Sequence, residues 1–312
     1  MKVFDIRNKF NEVSYDWKKG KSNYWIFADN KEIQMLKDII GLDDESINEC
    51  INVRRSSKIN FLDDYMFLAF NILEDGSKTI RAKELDIFLS KDYVITVSKN
   101  NLDILNEMIK DIVESKNCFV LKEKPEPCII LYYILDRVIL NSYDIISKLE
   151  ARADKIEINI LKNPRQDQID ELIQLRRQVY IIRKYLNPLR YIGDSIVSND
   201  NSIIDKEYLI YFSSLNKKIE KLMLSVESLV QDLALVREAF ESEIANKTNE
   251  LMKIFTLIAT IFLPLNLLTS MHGMNFTNVP FSNTKCGYYY VVILMLAISL
   301  GLIYIFKRKK WL

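Results

Sequence analysis

Glycine and proline are scarce in this chain, with 7 and 6 residues among 312. That scarcity argues for long uninterrupted helices and against a loop-rich fold. There is a single histidine, His272, and no nucleophile or acid–base constellation assembles around it, so the residues support no enzyme reading. Cys50, Cys118, Cys128 and Cys286 show no CxxC spacing, which indicates neither a zinc site nor a redox pair. Charge of one sign is not in excess: 43 basic and 42 acidic residues give a net charge of +1, and no nucleic-acid partner is implied. No GxxxxGK[ST] run is present, so no nucleotide is implied either. The N-terminal stretch MKVFDIRNKFNEV carries charge every few residues and lacks the apolar core of a signal peptide. The N-terminal part is therefore expected to stay in the cytosol.

What is present divides by character. Short alternating or β-rich runs at Tyr24–Ala28, Ile59–Leu62, Tyr65–Ile72, Leu85–Leu89 and Tyr93–Val97 predict strands, the last two forming a hairpin that turns at Ser90–Asp92. Helices are expected at Lys31–Ile40, Ser46–Val53 and Asn101–Ser115. Residues 1–126 thus read as an α+β cytosolic domain, a sheet covered by helices. Residues 127–202 read as an antiparallel pair of long helices, Cys128–Leu161 and Asp167–Ser198, broken at Asn163-Pro164, with Pro188 placed to kink or end the second. A third helix starting near Asp205 meets no stop signal before Gly273. It forms a cytosolic stalk over 203–250 and then enters a transmembrane domain over 251–312.

The spans are placed at about 252–272 and 287–306, joined by an external loop at 273–286. Ile254–Met271 has no charged side chain, and its length comes close to a hydrocarbon core of roughly 30 Å. Lys253 and the basic run Lys307–Lys310 put both termini on the cytoplasmic side of the cell (inner) membrane by the positive-inside rule. Tyr288, Tyr289, Tyr290, Tyr304 and Trp311 fall at the interfaces. The first span is oddly polar for an anchor. Three- and four-residue spacing gathers Asn249, Met252, Thr256, Ala259, Leu263, Asn266, Ser270 and Gly273 on one narrow stripe. Upstream the stripe continues through Ser228, Gln231, Leu235, Glu238, Ser242 and Ala245. Polar groups at membrane depth face a bundle interior or a wet path, so the stripe is read as pore-lining. Two spans cannot enclose a channel, so a pore requires several subunits about a symmetry axis.

These residues carry a resemblance. Gly273-Met274-Asn275 resembles the GMN signature of the CorA family of magnesium channels. Its context is similar too: NKTN at Asn246–Asn249, Met252-Lys253, IATIF at Ile258–Phe262, Pro264, GMNF and the terminal KRKKWL. DDYMFLAF and ELDIFLSKDYVITV resemble that family's soluble domain, so the likeness covers nearly the whole chain and is most specific over 246–312. It implies a homopentameric funnel in a lipid bilayer, with passive, potential-driven Mg2+ influx and no cofactor beyond the transported ion. It implies that Gly273, Met274 and Asn275 form the selectivity filter, with Asn275 meeting the metal through its hydration waters. Asn249, Met252, Thr256, Leu263, Asn266 and Ser270 line the pore, and Met252 with Phe255 forms an apolar gate.

There are departures. His272 stands where the family usually has Tyr. The loop FTNVPFSNT lacks the usual acid. Tyr211-Phe212 is followed by Ser213-Ser214 in place of an acidic sensor, which leaves Asp63, Asp64, Glu238 or Glu241 as candidates for a regulatory metal contact. Each assignment has a plainer counterpart: a helix cap for Asn275, an interhelical hydrogen bond for Asn266, a solvated charge for Glu238. Two other functions fit the same chain: a relative carrying Zn2+, Co2+ or Ni2+, and a membrane-tethered coiled-coil scaffold.

Overall fold

The structure, a computed structural model, describes every residue except 14–16, 53–56, 77–78, 100–101, 115, 275–279, 281–285, 310 and 312. The described residues form two compact units, 1–159 with 165–237 and 160–164 with 238–312.

The first unit is built on a sheet of seven strands: β1 Lys2–Asp5, β2 Asn11–Glu12, β3 Tyr24–Ala28, β4 Lys58–Phe61, β5 Met66–Asp75, β6 Ile80–Leu89 and β7 Tyr93–Val97. Their order is β2-β1-β3-β7-β6-β5-β4, antiparallel throughout except for the parallel pair β3–β7. The β6–β7 hairpin turns at 90–92 as expected, closed by Ser90 N donating to Tyr93 O at 2.8 Å. Residues 66–73 are buried without a break. A strand buried on both faces needs cover on both, and this explains why the apolar run MFLAFNIL does not alternate.

The cover is helical. Helices α1 (Glu32–Ile40), α2 (Asp44–Ile51), α3 (Asp103–Val113) and α4 (Phe119–Glu123) connect the strands or follow them. Gly41 ends α1 at φ 81°, a left-handed conformation that favours glycine. Asp43 caps α2 by accepting from the Glu45 and Ser46 amides. Two long helices follow, α5 (Pro127–Lys162) and α6 (Gln166–Ser198), and α6 lies against β4, β5 and β6. Pro188 neither ends nor breaks α6, which runs ten residues further to an Asn199 cap at φ 52°. The helix α7 (Leu209–His272) begins later than the expected Asp205, because 205–208 close as turns through Tyr208 N to Asp205 O at 2.9 Å. Within the first unit α7 is fastened to α5 by Lys218–Asp136 at 2.6 Å and to α6 by the fork of Arg190 on Glu220 at 2.8 and 2.9 Å. Gly193 permits a close approach here: a Cβ would meet Asn216 Oδ1 and, at 3.0 Å, Ile219 Cδ1.

Candidate ion-conduction site

In the second unit α7 continues through Pro264 to His272, and α8 covers Gly287–Arg308. Proline leaves the Thr260 carbonyl without its helical donor, a defect that spanning helices tolerate. Both helices are long and apolar enough to cross a membrane, and only 6% and 11% of their most apolar windows are buried. A core helix of a soluble protein would be mostly covered. Apolar side chains exposed nearly all round fit lipid and neighbouring subunits as solvent.

What little of the first span is covered lies on one stripe: Leu257 is buried, and Thr260, Ile261, Pro264, Leu265 and Leu268 are half-buried. On α8 the matching stripe is Val291, Val292, Met295, Ile298, Leu302 and Phe306. In each span the partly covered positions thus fall on one side of the helix. At 3.6 residues per turn the predicted pore stripe lies roughly half a turn from the covered face of α7. Glu238, Asn249, Met252, Phe255, Thr256, Leu263, Asn266, Ser270, Gly273 and Met274 are all exposed in the single chain. Asn275 lies outside the described residues. Phe255 is 65% exposed and sits beside the stripe, not on it.

The stripe's chemistry is neutral and oxygen-rich. Thr256 Oγ1 donates to Met252 O at 2.8 Å, and next to the stripe Thr260 Oγ1 donates to Thr256 O at 2.7 Å and Thr269 Oγ1 to Asn266 O at 3.0 Å. Spending each hydroxyl proton on the backbone leaves the oxygen lone pairs facing outward as acceptors for water. The Asn266 side-chain amide has no hydrogen-bond partner among the described residues, and it is open to solvent or to a neighbouring chain. At the C-terminal end of α7 Gly273 N donates to Thr269 O at 2.9 Å and Ser270 O at 3.2 Å, which tightens the last turn.

His272 is the only histidine in the sequence, and its contacts follow from no pattern there. Its Nδ1 lies 2.9 Å from Leu268 O and its Nε2 3.2 Å from Pro280 O. The ring thus ties the helix end to a residue eight positions on. Both nitrogens donate only when the ring is doubly protonated.

The regulatory candidates are divided between the two units. Asp63 and Asp64 are exposed at the turn between β4 and β5, in the first unit, while Glu238 and Glu241 belong to the second. Among the described residues no three His, Cys, Asp or Glu side chains converge as a metal-holding group. Phe212, beside the two serines at the sensor position, is buried against Tyr132 at 6.2 Å between ring centroids.

A sheet-and-helix unit, a helix that runs on into a lipid-exposed span, and a second span after it define a two-span membrane protein. Residues 20–308 match the family described as CorA-like Mg2+ transporter protein. The chain is 25% identical over 282 residues to the cobalt/magnesium transport protein CorA of Thermotoga maritima, covering 90% of this chain and 80% of that protein. It is 22% identical over 322 residues to the cobalt/magnesium transport protein CorA of Methanocaldococcus jannaschii, covering 98% and 96%. The complete structure of the CorA magnesium transporter from that organism superposes with a TM-score of 0.84 at 19% identity, over 100% of this chain and 98% of that one. The chain belongs to the CorA family and is a divalent cation transporter, not an enzyme.

Proposed function

We propose that this chain assembles as a homopentamer whose five first spans enclose a pore, and that it passes Mg2+ inward down the membrane potential. The observation that carries the reading is the stripe from Asn249 to Gly273: uncharged, with polar side chains at Asn249, Thr256, Asn266 and Ser270, and roughly half a turn from the partly covered positions of α7. Left bare in lipid, such a stripe would leave the Asn266 amide unsatisfied; around a fivefold axis it lines a wet path. Mg2+ sheds water reluctantly and prefers six oxygens. Five Asn275 amide oxygens accept hydrogen bonds from its first-shell waters without stripping them. Asn249 forms an inner polar ring, and Met252 with Phe255 the apolar constriction between it and the membrane interior. Neutral rings hold a dication weakly enough to release it, and about 2.3 kcal/mol per charge per 100 mV supplies the drive. In this reading residues 1–126 form the cytosolic domain, 127–202 its helix pair, 203–250 the stalk and 251–312 the membrane domain.

Purified protein in liposomes is expected to admit Mg2+ under an inside-negative potential, with Co2+ also admitted, as the name of the Thermotoga relative indicates for that protein. Asn275→Ala is expected to lower uptake at least tenfold. No Mg2+ flux at any internal Mg2+ concentration would sink the channel reading and favour the tethered scaffold. Zn2+ flux far above Mg2+ flux would reassign the ion.

The proposed orientation puts both termini inside and residues 273–286 outside. Cys286 is exposed while Cys50, Cys118 and Cys128 are buried. A membrane-impermeant maleimide applied to intact cells is therefore expected to label the protein, and Cys286→Ser to abolish that labelling. Labelling that requires broken cells would reverse the topology.

A further inference from the structure

The last acidic residue in the sequence is Glu250, so residues 251–312 contain no carboxylate side chain at all. The same stretch carries Lys253, Lys285 and the run Lys307–Lys310. The charge of the whole chain is balanced, so this is a local imbalance at the membrane end. Among the described residues Lys307, Arg308 and Lys309 are exposed, and none of them is paired with a carboxylate. They are not needed to close their own helix. Ile305 O accepts from Lys309 N at 3.0 Å and Phe306 O from Trp311 N at 3.0 Å, so backbone amides already serve the final turn.

Trp311, just past the helix, has a defined place. Trp311 folds back beneath α8 and stacks on Phe306, with ring centroids 6.1 Å apart and planes 5° from parallel. Lys309 Nζ sits 5.9 Å from the Trp311 ring centroid. An indole held at the end of a span and flanked by cations is placed where acyl chain gives way to headgroup. Among the described residues of the chain its cationic neighbours have no carboxylate partner.

We propose that Lys307, Arg308 and Lys309, with Trp311 stacked on Phe306 as its floor, bind the phosphate of an anionic phospholipid in the leaflet at this end of the span. The cations supply charge and donors to the phosphate. The indole packs beside the glycerol and upper acyl region. A juxtamembrane basic cluster gains about a fivefold preference for anionic surface per cation engaged. The leaflet is the cytoplasmic one on the orientation proposed above, and the site itself does not depend on which leaflet it is.

The tryptophans make the test direct. Trp17 and Trp25 are 7% and 1% exposed in the first unit, whereas Trp311 is 45% exposed. Full-length protein is reconstituted in phosphatidylcholine vesicles that contain either brominated phosphatidylglycerol or brominated phosphatidylcholine. Trp311 emission is expected to be quenched with at least a fivefold preference for the anionic bromolipid, and Trp311→Phe to remove the quenchable component. Replacing Lys307, Arg308 and Lys309 together by Gln is expected to bring the preference to near one, and 0.5 M salt to weaken it in the unaltered protein. Equal quenching by both lipids, or a preference that survives the triple substitution, overturns the site. If inorganic phosphate at millimolar concentration abolishes the preference, the cluster is a soluble-anion site and the lipid assignment fails. Quenching is blind to sidedness, so failure here is separate from failure of the Cys286 labelling.

Discussion

Gly273→Ala is expected to reduce Mg2+ uptake into liposomes to the level of protein-free vesicles while leaving the fold of each chain intact. Among the described residues nothing requires glycine at this position. Its φ is outside the left-handed region, and a Cβ there would meet Thr269 O at 3.4 Å and Ser270 O at 3.6 Å, ordinary van der Waals distances. Where the backbone is compatible, Gly→Ala stabilises by about 0.4–1 kcal/mol through the unfolded state. The prediction therefore opposes two signs, a chain as stable as before or slightly more so and a transporter that does not conduct. The loss arises from symmetry. In the proposed pentamer five methyl groups would enter one ring at the end of the path, and a dication that keeps its waters needs the room they would occupy. The check pairs uptake with melting temperature and with mass in detergent. Uptake within twofold of the unaltered protein would place Gly273 away from the axis. Asn275→Ala tests the amide, whereas this substitution tests the space.

How much of this was legible in the sequence depends on what sets each feature. Strands β3 and β7 follow the apolar runs Tyr24–Ala28 and Tyr93–Val97 to the residue, because those runs are the core of the sheet. The strand β1, KVFD, is not marked by its residue pattern. Four residues between charges carry no period, and it is a strand because it pairs with β3 from Lys2↔Phe27 to Asp5↔Tyr24. Strands β5 and β6 outrun their apolar centres for a similar reason. Their ladder continues through Glu74↔Arg81 and Asp75↔Ile80, where Lys83 pairs with Glu74 at 2.7 Å across the strands. In the membrane, spacing alone located the polar stripe. It did not reveal which positions of α7 are partly covered, since that depends on tertiary packing and not on the pattern along one helix. Nor did spacing place His272 against Pro280, a contact made across a loop with no repeating pattern. Asp86 was also missed, although a lone acid inside the apolar run LDIFL of a strand that needs cover on both faces was a usable warning.

Asp86→Asn is expected to stabilise the protein at pH 8 and to do so far less at pH 4.5. Asp86 is 3% exposed on β6, and its Oδ1 has no hydrogen-bond partner. Burial is the largest influence on this carboxyl and raises it from 3.8 to about 7, with Glu84 adding to the rise. A hydrogen bond from the Cys50 thiol, Lys99 and Lys58 pull the other way. Cys50 remains a donor because its own burial pushes the thiol well up. Lys58 is occupied with the buried Glu49 and, through burial, is itself held below the usual lysine range. The sign follows from proton counting. Between about pH 4 and pH 7 the unfolded chain has lost this proton and the folded chain keeps it, so stability falls as pH rises across that window and is level above it. A carboxyl moved from 3.8 to about 7 carries on the order of 4 kcal/mol. The neutral amide of Asn escapes this cost. Melting the two full-length proteins in detergent at pH 4.5 and pH 8 isolates the effect, since every other titrating group is common to both. The gap in melting temperature is expected to widen by roughly 8 °C at the higher pH. A gap that does not change with pH would mean that the buried charge is compensated from outside this cluster.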